Sequence, residues 1–157
     1  MPKKFNMDNN GLPLPAAFHK MALIMRGKMQ DRLLNEKWFP KSFRSPCIGL
    51  VHGIGSMGPI SQKEIANWLG LDPSDVVSLI DILENEELVM RTRDLNDRRK
   101  QMLSLTRKGE ELRKKLQIVG NEVMRDVLSP LDDKEVEIFR SMLQRVVQHH
   151  NENEGKK

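Results

Sequence analysis

The sequence predicts a mainly α fold interrupted by one small β-hairpin. Three observations carry that expectation. Apolar residues recur at steps of three and four through most of the chain, helix-start signals stand at Ser61 and again at Asp72, and between Leu88 and Leu105 the period shortens toward two before helical spacing returns. A chain of 157 residues is about one domain's worth. Its 38% apolar and 31% charged residues lie below and above the usual globular values, which suits an elongated, helix-rich protein with much exposed surface.

Residues 1–13 are polar and rich in Asn, Gly and Pro, and read as a flexible arm. The first helix begins with Pro15 in its first turn and carries Phe18, Met21, Ala22, Met25, Met29 and Leu33 on one face as far as about Lys37, before Pro40 ends the segment. Ser45 and Pro46 are expected as N-cap and first residue of a second helix with Cys47, Leu50, Val51 and Ile54 on its face. Ser61 and Glu64 form a capping box flanked by Ile60 and Ile65, and Gly70 closes this third, short helix. Asp72 and Pro73 then start a fourth, with Val76, Leu79, Ile80 and Leu83 as its buried stripe. Two helices joined by a tight glycine-containing turn predict a helix-turn-helix.

Leu88–Arg93 and Gln101–Leu105 read as the two strands of a hairpin with a charged tip. Thr106 caps a long helix to about Leu128, Ser129 and Pro130 break it, and a last helix from about Asp132 carries Val136, Phe139, Met142, Leu143 and Val146. The expected organisation is a winged helix-turn-helix domain over 43–106, flanking helices over 14–39 and 107–150, and a disordered tail at 151–157.

The net charge of +4 conceals blocks of opposite sign. Lys and Arg outnumber Asp and Glu by 9 to 3 over residues 1–58 and by 7 to 2 over 88–108, are outnumbered 7 to 1 over 59–87, and nearly balance at 9 to 10 over 109–157. A basic hairpin directly after a two-helix reader suits duplex DNA: the fourth helix fits the major groove while the hairpin follows the backbone to the neighbouring minor groove. Arg91, Arg93, Arg98, Arg99, Lys100, Arg107 and Lys108 are the candidate phosphate partners.

The stretches ISQKEIANWLGLDPSDVVSLIDILENEELV and RTRDLNDRRKQMLSLTRKG resemble the winged helix-turn-helix regulators named after the multiple-antibiotic-resistance repressor, MarR. The likeness rests on the reader helices, a wing similar to Asp-Pro-x-Asp-Arg-Arg, and a Leu-Thr-x-x-Gly lead into the next helix. It is close over residues 60–109; the flanking helices agree in number and order. The resemblance implies a homodimer with intertwined terminal helices, a palindromic site on double-stranded DNA, and a small-molecule or oxidant signal that releases it. It also implies roles for particular residues: Arg99 in the minor groove with Asp97 orienting it, Arg98 near the backbone, Ser74, Asp75, Val77 and Ser78 toward base edges, and Ser61 and Gln62 donating to phosphate. Leu95 stands where the family usually has proline, and Ser78 and Ile82 where many members carry arginine. The reader helix is therefore acidic, so the wing and the N-terminal basic block are expected to supply most of the affinity.

The apolar stripes of the terminal helices need a partner, and Phe18, Met21, Met25, Phe139, Met142, Leu143 and Val146 are the expected homodimer contacts. Most of the ten methionines are assigned to core or dimer packing. Arg26, Trp38 and His52 are candidates for an effector cleft, because they are polar or aromatic residues near the implied junction. No cofactor or metal site is expected: Cys47 is the only cysteine, and adjacent His149 and His150 point in different directions on a helix. A phosphate-binding glycine loop, a nucleophile elbow, a His-Glu-x-x-His motif and tyrosine are all absent from the sequence, which disfavours an enzyme. Seven aromatic residues are few for a protein that stacks single-stranded bases. No apolar run reaches the roughly 18 residues of a membrane span, and the expected compartment is the cytoplasm. The competing expectation is a winged-helix protein-interaction module with vestigial DNA binding.

Overall fold

A computed structural model describes residues 11–94, 97 and 100–154. The flexible-arm expectation for residues 1–10, the wing arginines Arg98 and Arg99, and the last three residues of the expected tail lie outside them. The elements run α1 (Leu14–Leu34), α2 (Ser45–Met57), β1 (Ile60–Ser61), α3 (Gln62–Leu69), α4 (Pro73–Asn85), β2 (Val89–Arg93), β3 (Gln101–Leu105), α5 (Arg107–Val127) and α6 (Asp133–Glu154). They form two units: Arg26–Asn121, which holds the helix-turn-helix and sheet, and the described parts of Met1–Met25 with Glu122–Lys157. This is the mainly helical winged-helix fold with a small antiparallel sheet. Among the described residues, no helix is long and apolar enough to cross a membrane.

Local chemistry sets most of the helix ends. At α3 the Ser61 hydroxyl accepts the Glu64 amide at 3.3 Å while the Glu64 carboxylate accepts the Ser61 amide at 3.0 Å, completing the expected capping box. Gly70, at φ 63°, takes the left-handed exit, and the Leu71 amide reaches back to Ala66 O at 3.0 Å. Asp72 then caps α4 through the Ser74 amide at 2.8 Å, with Pro73 in the first turn. At α6 Asp132 and Glu135 form a second reciprocal box: the Glu135 amide donates to Asp132 at 2.9 Å and the Asp132 amide to Glu135 at 2.9 Å. Apolar stripes from α2, α3 and α4 meet the sheet in the core of the larger unit. Leu50, Val51, Ile54, Ile65, Val76, Ile80, Leu83 and Leu103 are all buried there, each worth about 1.5–3 kcal/mol of transfer free energy.

Four boundaries differ from the sequence expectation. Helix α1 stops at Leu34 rather than Lys37, because Glu36 and Phe39 donate to Leu33 O and Glu36 O in successive tight turns. The N-cap of α2 is Arg44, without a side-chain cap bond, so Ser45 lies inside the first turn instead of preceding it. A two-residue strand, β1, joins the hairpin to give the order β1-β3-β2, with Ile60 opposite Leu103. Helix α6 continues through residues 151–154, where the sequence suggests a disordered tail.

Candidate nucleic-acid interface

Helix α4 presents two unlike faces. Val76, Leu79, Ile80 and Leu83 are buried, while Ser74, Asp75, Val77 and Ser78 face outward in the first two turns, with Val77 43% exposed. The hydroxyls on this outer face are oriented by the chain itself. Ser74 Oγ donates to Asp72 Oδ1 at 2.5 Å and Ser78 Oγ donates to the Asp75 carbonyl at 2.8 Å. Their lone pairs are left to face outward beside the Asp75 carboxylate, so the surface accepts hydrogen bonds rather than donating them. The Asp72 carboxyl is held below its ordinary range by the Ser74 hydroxyl first and the Ser74 amide second, which keeps the cap ionised.

At the start of α3, both donors of Ser61 are taken up by Glu64. Its amide and hydroxyl donate to Glu64 Oε2 at 3.0 and 2.5 Å, and the hydroxyl bond is the main cause of the lowered Glu64 pKa. Gln62 is half-buried at the first position of the helix.

The hairpin β2–β3 stands beside α4. Its register pairs Val89 with Leu105, Arg91 with Leu103 and Arg93 with Gln101, so Val89, Arg91 and Arg93 share one face. At the turn, the Asp97 amide donates to Asp94 Oδ1 at 2.8 Å, the Lys100 amide to Asp97 O at 2.8 Å and the Asp94 amide to Lys100 O at 3.0 Å. The strand ends are thereby tied together below the tip. Arg93 and Lys100 are exposed. Arg98 and Arg99, to which the resemblance gives backbone and minor-groove roles, lie outside the described residues.

Arg91 is placed differently from the other wing cations. It lies on the inward face of β2, with 22% of its side chain exposed, and its two terminal nitrogens reach Glu84 Oε2 and, at 2.7 Å, Asp81 Oδ1 on α4. Lys108, on the first turn of α5, donates to the Glu86 carbonyl at 2.7 Å and pairs with the Glu87 carboxylate at 3.5 Å. Ser42 donates to Glu86 Oε1 at 2.6 Å. The acidic end of α4 is therefore bound by cations and a hydroxyl from three other segments, which resolves much of the charge contrast between residues 59–87 and 88–108. Sequence reading missed this set because the partners are distant along the chain. The signal that could have found it is the period-two pattern of β2, which puts Arg91 on the same face as buried Val89.

The junction from α4 to α5 is close-packed backbone. Glu87 sits at φ 58°, the left-handed position of a helix exit, with its amide on Glu84 O at 2.8 Å and the Leu88 amide on Leu83 O at 2.9 Å. Thr106 bridges this exit to α5: its hydroxyl donates to Glu87 O at 2.6 Å, its amide to Leu88 O at 3.0 Å, and its oxygen accepts the Gly109 amide at 3.0 Å. A Cβ on Gly109 would lie 2.0 Å from Leu88 O, so the Leu105-Thr106-x-x-Gly109 sequence is a packing requirement of this junction.

Trp38 and His52, two of the three effector-cleft candidates, lie near different residues of α5. Trp38 lies edge-on to Phe39, with Lys115 Nζ 5.5 Å from a Trp38 ring centroid. His52 is half-buried near Arg113; burial first and the Arg113 charge second push its pKa below the usual histidine value. Arg113 and Lys115 are two positions apart on α5 and so project in different directions. Arg26 is exposed on α1. Buried Cys47 has its pKa raised, chiefly by desolvation, which keeps it a thiol. No group of three or more His, Cys, Asp or Glu side chains suited to a metal occurs among the described residues.

Comparison with known proteins matches residues 49–100 to the MarR family. Over 95% of its length the chain is similar to a crystal structure of MarR, with a TM-score of 0.75, 19% identity and 98% of that chain covered. The reduced form of MarR from E. coli aligns over 88% of this chain and 98% of its own at 25% identity and a TM-score of 0.70. A Mycobacterium tuberculosis MarR family protein, Rv2887, in complex with p-aminosalicylic acid aligns over 86% of this chain and 98% of its own at 19% identity, also at 0.70. Residues 49–100 therefore match the MarR family, in a chain that has the winged-helix fold of the MarR structures.

Proposed function

We propose that this chain is a transcriptional regulator that binds a palindromic operator on double-stranded DNA as a homodimer in the cytoplasm, acts as a repressor, and responds to a small-molecule effector. The observation that carries the DNA reading is the outward face of α4, polar and exposed over a fully apolar opposite face, with a tied hairpin bearing Arg93 and Lys100 beside it. Acceptor oxygens on Ser74, Asp75 and Ser78 suit the amino groups of cytosine and adenine in the major groove, and Val77 suits a thymine methyl. Phosphate attraction then falls to the wing and the basic N-terminal block.

The homodimer is supported by apolar surface on α6. Ile138, Met142, Val146 and Val147 are each at least 50% exposed, and Leu143 is exposed beside them. On α1, Phe18 is exposed while Met21 and Met25 are half-buried, as is Phe139 on α6. A repeated apolar face of this kind suits an isologous two-fold contact, and a two-fold protein suits a palindrome. The effector reading is supported by the salicylate-class ligand named for the M. tuberculosis relative, with Arg26, Trp38 and His52 as the residues to substitute first.

The test is fluorescence anisotropy of the full chain against genomic fragments over a salt series. The expected result is tight binding to particular fragments over bulk competitor. Arg98→Ala and Arg99→Ala should each lower affinity, and the log–log salt slope should fall by about 0.9 for every phosphate no longer neutralised. Unchanged affinity and slope in both variants would remove the wing from the site. Weak, salt-abolished binding to every fragment would favour the protein-interaction module.

A further inference from the structure

Arg91 has the composition of a phosphate ligand and the geometry of something else. Its guanidinium is a planar fork, and here each arm meets a different carboxylate of α4: Glu84 on one nitrogen and Asp81, at 2.7 Å, on the other. Asp81 and Glu84 are three residues apart and so neighbour each other on one helix face. Val77 and Ser78 lie one turn before Asp81, in the outward part of the same helix. The fork leaves β2 on the face that also carries Val89, and Arg91 stands opposite Leu103 in the sheet, so its base is held by buried neighbours. Lysine cannot reproduce this link, because one ammonium is a point charge and does not span two carboxylates in a fixed plane. A guanidinium already paired to two carboxylates is also a poor phosphate partner, since two acids next to it repel the phosphate.

We propose that Arg91 is a positioning residue that acts through Asp81 and Glu84, setting the angle between the reader helix and the wing and thereby the sequence selectivity of the protein, and that it is not a phosphate contact. The proposal rests on the DNA-binding reading above. It accounts for the two acidic residues in the later turns of a DNA-reading helix: they hold the wing and do not face the duplex. Wing and helix address neighbouring grooves, so an error in their relative angle prevents both from engaging a fixed sequence at once. Attraction to arbitrary DNA depends much less on that angle.

The experiment uses the full chain with Arg91→Lys, Asp81→Asn and Glu84→Gln. The probes are a duplex selected by the wild-type protein from a random library and a random-sequence duplex of equal length, and each variant is first shown folded by circular dichroism. Asp81 is the more exposed of the two acids, at 54%, so Asp81→Asn keeps the test valid if another variant does not fold. All three variants are expected to lose selectivity in the same direction. The ratio of selected to random affinity should fall about tenfold, the equivalent of about one base contact, while random-duplex affinity holds or rises as negative charge is removed. A phosphate-contacting Arg91 gives opposite signs: Arg91→Lys binds as wild type, and Asp81→Asn and Glu84→Gln tighten both duplexes alike. That pattern, or an unchanged ratio in folded variants, overturns the proposal. If the wild-type chain selects no sequence above random, the DNA-binding reading itself fails and the proposal fails with it; a ratio that falls only in the variants separates the two cases.

Discussion

Replacing Gly109 with alanine tests the packing of α5 against the exit of α4. The added Cβ would stand 2.0 Å from Leu88 O and 3.0 Å from Leu88 C, both backbone atoms, so no side-chain rotation relieves it. Reaching even 3.0 Å requires the first turn of α5 to withdraw by about 1 Å, a displacement of the size that overpacking imposes at about 1–3 kcal/mol. The same displacement stretches the bonds from Thr106 to Leu88 O and Glu87 O, now 3.0 and 2.6 Å. Breaking both costs about 1 kcal/mol each, and alanine returns about 0.5–1 kcal/mol through its better helix propensity. The net expectation is a destabilisation of about 2–4 kcal/mol, or a Tm lowered by about 5–15 °C for a chain of this size. Thermal and urea unfolding followed by far-UV circular dichroism, at one fixed protein concentration, reads this directly. Gly120→Ala in the same helix is the control: its Cβ meets nothing within 4 Å, and it should be neutral or stabilising. A Gly109→Ala protein as stable as wild type would refute the close-approach argument.

Glu87→Gly should act in the opposite direction. Glycine adopts φ 58° without the Cβ penalty, a gain of about 1 kcal/mol against a small loss from the exposed Lys108 pair, so the unfolding midpoint should rise. His52 makes part of the stability depend on pH. Its folded pKa lies below the reference 6.5, so the unfolded chain takes up the proton first as pH falls. That contribution is lost from about pH 6.5 downward and levels off below the folded pKa; urea midpoints should show this slope in wild type and lose it in His52→Gln. The lowered Glu64 and Asp72 carboxylates act in a separate, more acidic window, with stability present above their unfolded values and lost as pH falls through the folded ones. Val146→Asp places a charge on the exposed apolar face of α6 and should shift equilibrium sedimentation from dimer to the 18.1 kDa monomer. An unchanged dimer would move the interface elsewhere.

The sequence by itself determined the features that act over three or four residues. The Ser61–Glu64 box, the Gly70 exit, the Asp72 cap and the apolar stripe of α4 each complete a backbone bond or a helix face within one turn, so residue order is enough to locate them. The two strands of the hairpin were legible from their period of two in the same way. Only the tertiary structure decided what the charges do. Arg91 meets Asp81 and Glu84 across ten and seven positions, Lys108 meets the Glu86 carbonyl across twenty-two, and Ser42 meets Glu86 across forty-four. Strand β1 likewise exists only because Ile60 pairs with Leu103. Charge type and spacing name a cation's possible partners. Which one it takes depends on where packing of the apolar stripes brings the distant segments together, and here it set Arg91 and Lys108 against the acidic end of α4.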